Sequence, residues 1–275
     1  MGKKNINVKS IINNAKIYYR LIKLNGLLWF LKSTRLKFFP KKIRGFKKII
    51  PFVKNKKGLE IGGPSGLFKK KGKLPIYPLA RTIDNCNYGN KTVWEKNIKK
   101  GNTFNFYKEK KGHQYILEAT NLKGIKSNNY EFIMSSHVLE HVANPLKAIY
   151  EWKRVLKKGG LIIVIVPDKR RTFDNKRKIT SLKHILKDYK KSVGEDDLTH
   201  LKEILKNHDF KIDSGAKNLA YFKKRSEQNF KNRCLHHHSF DDKLLVKLLD
   251  YAGFKEITSI YEYPHHLVIV GKRPL

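Results

Sequence analysis

The stretch that most constrains the fold runs from Gly58 to Gly66 and reads G-L-E-I-G-G-P-S-G. A short apolar strand ends beside an acid, Glu60, and a glycine-rich turn follows at once. Glycine lets a backbone pass close to a ligand and adopt φ angles that a Cβ forbids. The nicotinamide fingerprint needs glycine where Ile61 stands, so this turn does not match it. The acid favours a ligand with a positive charge or hydroxyl groups, and a plain strand-to-loop turn is the alternative.

The composition fits one α/β domain with additions, because the chain has 275 residues of which 40% are hydrophobic. Cys86 and Cys234 lie far apart and outside any C-x-x-C pair, so neither a disulfide framework nor a zinc knuckle is expected. A reducing cytoplasm is the simplest compartment. The apolar run from Gly26 to Phe30 is too short for a signal peptide or a membrane span. The net charge of +37 comes mostly from lysine and predicts non-specific anion binding.

Residues 1–55 contain no Asp or Glu and many Lys and Arg, so we predict a separate basic arm before a main domain at 56–275. Apolar residues recur in it at helical spacing, with aromatic residues between them. Such an amphipathic helix suits an anionic membrane surface. A helix packed on the catalytic domain or on a partner, with its lysines in water, is the interpretation that we favour. The apolar positions are Ile17, Leu21, Leu24, Leu28 and Leu31.

Strands and helices alternate after the glycine turn, which predicts a doubly wound, mostly parallel sheet. Apolar runs that end in polar residues predict strands at 80–84, 115–122, 130–136, 161–166, 255–261 and 267–271. A helix is expected from Pro145, a residue favoured in a first helical turn. No element is predicted between residues 85 and 112. Asp84 follows the glycines at about the distance at which α/β nucleoside sites place a carboxylate for the ribose hydroxyls.

From Leu59 to Pro167 the chain resembles the class I S-adenosylmethionine-dependent methyltransferases, the Rossmann-like group that includes the type 11 methyltransferase domains. The resemblance rests on the glycine turn, Asp84 and Glu118-Ala119-Thr120. It rests above all on Ser135 to Pro167, which begins S-S-H-V-L-E-H-V and ends R-V-L-K-K-G-G-L-I-I-V-I-V-P. It implies a seven-stranded sheet, methyltransferase activity and S-adenosylmethionine as the methyl donor.

The resemblance also implies roles for individual residues. The residues expected around the methionine part of the cofactor are Glu60, Gly62, Gly63, Gly66 and His137, those at the adenine are Glu118 and Ala119, and Asp84 is expected to hold the ribose hydroxyls. The chain departs from the family twice, because Gly63-Pro64-Ser65 lacks the usual alternating glycines and Glu118 stands where aspartate is commoner. A methyl sulfonium is already a good electrophile, so the protein chiefly has to align a nucleophile with it. A hydroxyl nucleophile also needs a base.

Residues 168–238 separate the fifth strand from the helix expected after it, and their length predicts a helical cap that selects the substrate. Within the cap a helix is predicted at 195–206. Arg170 and Arg171 lie at the carboxyl edge of a central strand. They either bind an anionic group of the substrate or pair with nearby aspartates. The helix after the cap is predicted to begin at Ser239, a capping residue.

The later histidines fall at the edge of the sheet where ligands bind. His237 and His238 precede a helix, and His265 and His266 lie in the hairpin of the last two strands. We predict an acceptor pocket walled by His137, one of the two arginines and histidines from both later pairs. His238 is the expected catalytic base, with His137 in reserve, although adjacent histidines often only cap or pack. No ligand spacing indicates a metal, so none is predicted.

The leading functional hypothesis is methyl transfer from S-adenosylmethionine to a small molecule or a glycan, such as a sugar of a cell-surface polysaccharide. An RNA or DNA methyltransferase, prompted by the charge, and a non-catalytic protein that retained the cofactor fold are the alternatives. Enzymes that methylate base amino groups usually carry an Asn/Asp-Pro-Pro-aromatic run where this chain has Ser135-Ser136-His137-Val138. We therefore expect no specific nucleic-acid partner and a cytoplasmic enzyme, with the inner membrane surface as a peripheral contact.

Overall fold

The computed structural model describes residues 8–38 and 41–275. Within these ranges, eight strands form one sheet in the order β3-β4-β2-β1-β5-β6-β8-β7. The strands are β1 (Lys57–Ile61), β2 (Thr82–Asn87), β3 (Gly101–Tyr107), β4 (Lys110–Ile116), β5 (Tyr130–Ser136), β6 (Leu156–Pro167), β7 (Lys255–Glu262) and β8 (His266–Lys272). The five central strands β4, β2, β1, β5 and β6 pair in parallel, whereas β3, β7 and β8 pair antiparallel. The mostly parallel α/β fold is confirmed.

The sheet has one strand more than the seven expected. β3 pairs antiparallel with β4 through a tight turn and forms the sheet edge in the stretch where no element was predicted. Phe104 and Phe106 point into the core while Asn105 is exposed. This alternation has the period of a strand with one buried face. The surrounding lysine, asparagine and glycine residues concealed it in the sequence.

The helices in the described ranges are α1 (Val8–Asn25), α2 (Leu27–Phe38), α3 (Phe46–Val53), α4 (Pro145–Val155), α5 (Leu182–Lys190), α6 (Leu201–Asn207), α7 (Leu219–Glu227), α8 (Asn229–Asn232) and α9 (Asp242–Tyr251). Helices α4 and α9 cover one face of the sheet, and α3 covers part of the other. Burying one large apolar side chain is worth about 1.5–3 kcal/mol. Phe46, Ile49 and Val53 of α3 are all buried, so α3 belongs to the main domain and not to the arm predicted at 1–55.

Two helix boundaries differ from those predicted. Helix α6 begins at Leu201 and not at Glu195. Glu195 accepts from the Ala143 backbone N–H at 3.1 Å, and Asp197 accepts a turn hydrogen bond from the Thr199 backbone N–H at 3.2 Å. Helix α9 is capped by Asp241, whose side chain accepts from the Leu244 backbone N–H at 2.7 Å. The predicted cap, Ser239, lies before the helix.

The first two helices lie against the same end of the sheet as the ends of the parallel strands. Trp29 Nε1 donates to the Pro264 carbonyl at 3.1 Å, in the β7–β8 hairpin. Arg171 donates to Asn25 Oδ1 at 2.9 Å, and Arg20 donates to the Lys211 carbonyl at 3.1 Å. No helix in the described part of the chain is long and apolar enough to cross a membrane.

Candidate active site

A cavity of about 300 Å³ opens where the parallel strands end. This edge is where open α/β sheets bind ligands, because the loops that leave the strands diverge there. Four strand ends contribute to the cavity wall. Glu195 and Arg233 of the segment between β6 and α9 also line it, as do the loop residues Thr92, Trp94, Glu95, His141 and Val142. The strand-end groups are Gly62–Ser65 after β1, Asn87 and Tyr88 after β2, Leu117–Ala119 after β4 and Ser136–Val138 after β5.

Two glycines of the turn are required by close contacts inside the protein. Gly62 has a φ of +80°, and a Cβ built on it would lie 2.3 Å from Val138 Cγ2. A Cβ on Gly63 would lie 2.2 Å from the carboxyl carbon of Glu60. Gly62 and Gly63 line the cavity, as the sequence predicted. Gly66 lies outside the cavity wall, and a Cβ at Gly66 would meet open space. The backbone of Gly62 and Gly63 therefore forms the cavity floor.

Glu60 lies beneath this floor and not in the cavity wall. One carboxylate oxygen accepts from the Ser65 backbone N–H at 2.9 Å and the other from the Tyr77 hydroxyl at 2.7 Å. Burial raises the pKa of Glu60 to about 8, although both hydrogen bonds act in the opposite direction. Glu60 was predicted to contact the cofactor, but its carboxylate instead holds the glycine turn in place from below.

Asp84 is also placed away from the cavity, which corrects the predicted ribose contact. Strand β2 continues to Asn87, so Asp84 sits near the start of the strand and not at its end. Its carboxylate accepts from the His113 backbone N–H at 2.8 Å and from the Tyr130 hydroxyl at 2.8 Å. The residue at the strand end is Asn87, which donates to the Gly63 carbonyl at 3.1 Å. The predicted strand ended at Asp84, because the polar residues 85–87 have the composition of a loop although they continue β2.

The wall after β4 contains both residues predicted at the adenine. Glu118 forms an ion pair with Arg233, which reaches across from the segment before α9. The Ala119 carbonyl accepts from Trp152 Nε1 at 2.9 Å, so the buried tryptophan of α4 fixes this loop. Burial raises the pKa of Glu195 to about 7. Asn87, Glu195 and Arg233 were not predicted, because each reaches the cavity through tertiary folding.

His137 lies in the cavity wall directly after β5, with a φ of +54°. Its Nδ1 lies 3.4 Å from Glu140 Oε1, and its Nε2 lies 2.9 Å from Nδ1 of His266. The ring of His265 is 5.8 Å from that of His137. Burial alone would raise the pKa of Glu140, but the hydrogen bond from His137 and the charges of nearby histidines lower it. An ionised carboxylate therefore orients a histidine at the cavity wall.

The histidines before α9 do not reach this wall, which contradicts the expected role of His238. Its side chain is buried, its Nε2 lies 3.1 Å from the Ala143 carbonyl, and burial lowers its pKa well below the usual value. His237 is also buried, with Nε2 3.0 Å from Asn229 Nδ2. The chain turns inward before α9, so these residues pack inside the protein.

The two arginines lie outside the cavity wall. Arg170 donates to both oxygens of Asp168, at 2.8 and 2.9 Å, and so pairs with a nearby aspartate. Arg171 donates to Asn25 of α1. Neither side chain lines the cavity. An anion-binding role in the described site therefore has no support from their positions.

The strand order, the reversed strand β8 and the cavity at the strand ends define a class I methyltransferase fold. The model of a family described as a methyltransferase domain matches residues 33–215. This match covers more than half of the chain, which therefore belongs to the methyltransferase-domain family. The protein is an enzyme of the class I type, and S-adenosylmethionine is its methyl donor.

Other comparisons give more distant similarities. An uncharacterised protein of Methanocaldococcus jannaschii is 39% identical over 61 residues, which are 22% of this chain and 30% of that relative. A Thermotoga maritima structure, a possible histamine N-methyltransferase, is 17% identical with a TM-score of 0.43, covering 94% of this chain and 98% of that one. Human N-acetylserotonin methyltransferase, solved with S-adenosylmethionine, is 15% identical with a TM-score of 0.45, covering 93% and 56%.

Proposed function

We propose that this enzyme transfers a methyl group to a hydroxyl of a small-molecule or glycan acceptor. The observation that supports this proposal is the pair formed by His137 and Glu140 in the cavity wall. A hydroxyl is a weak nucleophile until its proton is removed, and a histidine oriented by a carboxylate is a suitable base. An acceptor that is already a strong nucleophile would not need this pair.

The cavity residues fit S-adenosylmethionine. Glu95, Glu118 and Glu195 line the wall and suit the cationic sulfonium and amino group, although Glu118 already pairs with Arg233 and burial raises the pKa of Glu195 to about 7. Leu117, Ala119 and Val142 supply an apolar surface for a flat base. The volume of about 300 Å³ is within the range of small-molecule sites.

Bound S-adenosylmethionine supplies the electrophilic methyl group, and the chain supplies orientation and a place for the proton. The Glu140 carboxylate lies 3.4 Å from His137 Nδ1 and favours a proton on that nitrogen, which leaves a lone pair on Nε2. This tautomer is assigned from the position of the carboxylate. Nε2 faces His266 at 2.9 Å, so an acceptor hydroxyl binds Nε2 in exchange for His266. His137 then takes the hydroxyl proton as the oxygen attacks.

The acceptor class is tested with methyl-labelled S-adenosylmethionine and an extract from cells that lack the gene. We expect label in a product that gains one methyl group by mass spectrometry. The label should be stable to mild alkali, because an ether resists hydrolysis while a methyl ester does not. Label on nitrogen, on carbon or on nucleic acid would contradict the proposal. Extract from cells with the gene, already methylated, is the matched control.

The cofactor contacts are tested by calorimetry with S-adenosylhomocysteine. Glu118→Ala is expected to weaken binding by roughly tenfold or more, the cost of losing a hydrogen bond to a charged group. Asp84→Asn should leave the affinity nearly unchanged, because Asp84 lies away from the cavity. The reverse ranking of the two variants would show that the ribose site is at Asp84 after all.

We also propose that α1 and α2 make a peripheral contact with an anionic membrane. Four leucines at helical spacing are exposed on these helices, and Leu28 is 84% exposed. Lys16, Lys23 and Arg35 are exposed on the same helices, and basic residues beside an exposed apolar stripe suit anionic lipid. The exposed leucines are Leu24, Leu27, Leu28 and Leu31.

A double substitution, Leu28→Ser with Leu31→Ser, is expected to abolish cosedimentation with phosphatidylglycerol vesicles. The protein should stay folded, because both side chains are exposed. Leu219→Ser is the matched control, since Leu219 is an exposed leucine outside these helices. Unchanged sedimentation of the double variant, or equal binding of the parent to neutral phosphatidylcholine vesicles, would contradict the proposal.

A further inference from the structure

Three histidines and an aspartate meet behind the cavity, in a cluster that the methyl-transfer chemistry does not use. His184 and Asp188 lie one helical turn apart on α5, His200 precedes α6, and His238 precedes α9. Each side chain can offer one ligand atom, and these atoms all lie within 4.8 Å of one another. None of the four residues lines the cavity. We call them the tetrad.

The spacing within the tetrad is that of ligands around one small metal ion. His184 Nε2 lies 3.1 Å from His200 Nε2 and 3.0 Å from Asp188 Oδ2. His238 Nε2 lies 3.9 Å from Asp188 Oδ2. Nitrogen and oxygen ligands held about 2.0–2.1 Å from Zn²⁺ in a tetrahedron lie roughly 3.3 Å from one another. The measured distances lie on both sides of this value.

Hydrogen bonding within the protein leaves the tetrad incompletely satisfied. Among the described residues, Asp188 Oδ2 and His238 Nδ1 are buried and have no hydrogen-bond partner. Asp188 Oδ2 is close to His184 Nε2 but without hydrogen-bond geometry. Buried polar atoms nearly always find a partner, so an unsatisfied pair in one cluster calls for an explanation.

We propose that the tetrad binds a divalent transition metal, with Zn²⁺ as the ion that its donors fit best. Three imidazoles and one carboxylate suit zinc. Four protein ligands fill a tetrahedron and leave no open position, so the site is structural rather than catalytic. The ion joins α5, the start of α6 and the chain before α9, and so ties together three parts of the 168–238 segment. The ligands come from three separate segments, which explains why no ligand spacing was visible in the sequence.

The tetrad also has a route to the cavity wall. Nε2 of His238 donates to the Ala143 carbonyl at 3.1 Å, a hydrogen bond that this nitrogen gives up when it binds the ion, and the Ala143 N–H donates to Glu195 Oε1 at 3.1 Å. Glu195 lines the cavity. Metal binding therefore acts on the residue whose N–H holds one acidic side chain of the cofactor site. This consequence is separate from the choice of acceptor.

The test uses full-length protein without a polyhistidine tag, stripped with a chelator and titrated with Zn²⁺ against a chromophoric competitor. We expect about one zinc ion per chain, and a loss of affinity of about a hundredfold or more in Asp188→Asn and His200→Gln. His113→Gln is the matched control, because His113 lies on β4 outside the tetrad. Co²⁺ in the parent should give the intense visible bands of a tetrahedral site.

Two further groups could compete for the ion. His137, His265 and His266 form one, and Glu140, His141 and His236 form the other. Zinc retained by both tetrad variants but lost in His265→Gln would overturn the assignment. A parent protein that takes up no zinc, or a weak octahedral Co²⁺ spectrum, would also overturn it. A cooperative urea-denaturation transition shows that a variant is folded, and the cobalt spectrum of the parent decides the matter if no variant folds.

Discussion

A His137→Gln variant is expected to bind S-adenosylhomocysteine like the parent but to lose roughly 10²–10⁴-fold in kcat, the usual contribution of a general base. Glutamine keeps the approximate size and polarity of the side chain but cannot take up a proton. Single-turnover rates with saturating cofactor measure the effect directly.

Two companion variants separate proton transfer from structure. Glu140→Gln should lower kcat less than His137→Gln does, because the base remains but its orientation and tautomer are no longer fixed by a charge. His113→Gln should leave kcat unchanged. A parallel fall in cofactor affinity and kcat for His137→Gln would assign that residue to binding. An unchanged kcat would remove it from the reaction.

Among single glycine-to-alanine substitutions in the glycine turn, Gly62→Ala is expected to cause the largest loss of stability. The φ of +80° costs an alanine about 1–2 kcal/mol. The new Cβ would lie 2.3 Å from Val138 Cγ2, and such overpacking costs about 1–3 kcal/mol more. Because Val138 shares the cavity wall with His137, cofactor binding should also weaken. Urea denaturation and calorimetry measure the two effects.

Gly66→Ala provides the control within the same nonamer. Its φ is not positive, and a Cβ at this position meets nothing within 4 Å. We expect its midpoint of denaturation and its affinity for S-adenosylhomocysteine to match those of the parent. If both alanine variants behaved alike, the contacts of Gly62 would not be the reason that glycine is needed there.

The sheet could be predicted because its central strands are recognisable from the type of residue they contain. The uninterrupted apolar run of β6 can be buried only between two layers, and the turn after β1 needs glycine. Asp84 shows where this reasoning fails. An acid at the end of an apolar run looks like a strand terminus, but β2 continues through Asn85 and Asn87, which are buried and hydrogen-bonded. Polar residues satisfied inside a sheet cannot be told from loop residues by their type.

The site was harder to predict than the sheet, because its residues come together only through tertiary folding. The S-S-H-V-L-E-H-V run identified His137 and contains Glu140. Sequence alone could not show that His266 would meet His137 while His238 would turn away from the cavity. The histidine pairs that contain His238 and His266 were both expected at the same edge of the sheet. The difference lies in the backbone, which carries one pair into a hairpin and buries the other before α9.

The β7–β8 hairpin is contacted from two sides, and this has a thermodynamic consequence. Trp29 of α2 donates to the carbonyl of Pro264, and His266, two residues later, contacts His137. If a lipid surface draws α2 away from Pro264, the conformational freedom of the loop that carries His265 and His266 changes. By linkage, an acceptor bound at His137 must then change the affinity of the arm for the membrane by the same factor. Acceptor binding and membrane attachment would then be coupled equilibria, each measurable through its effect on the other.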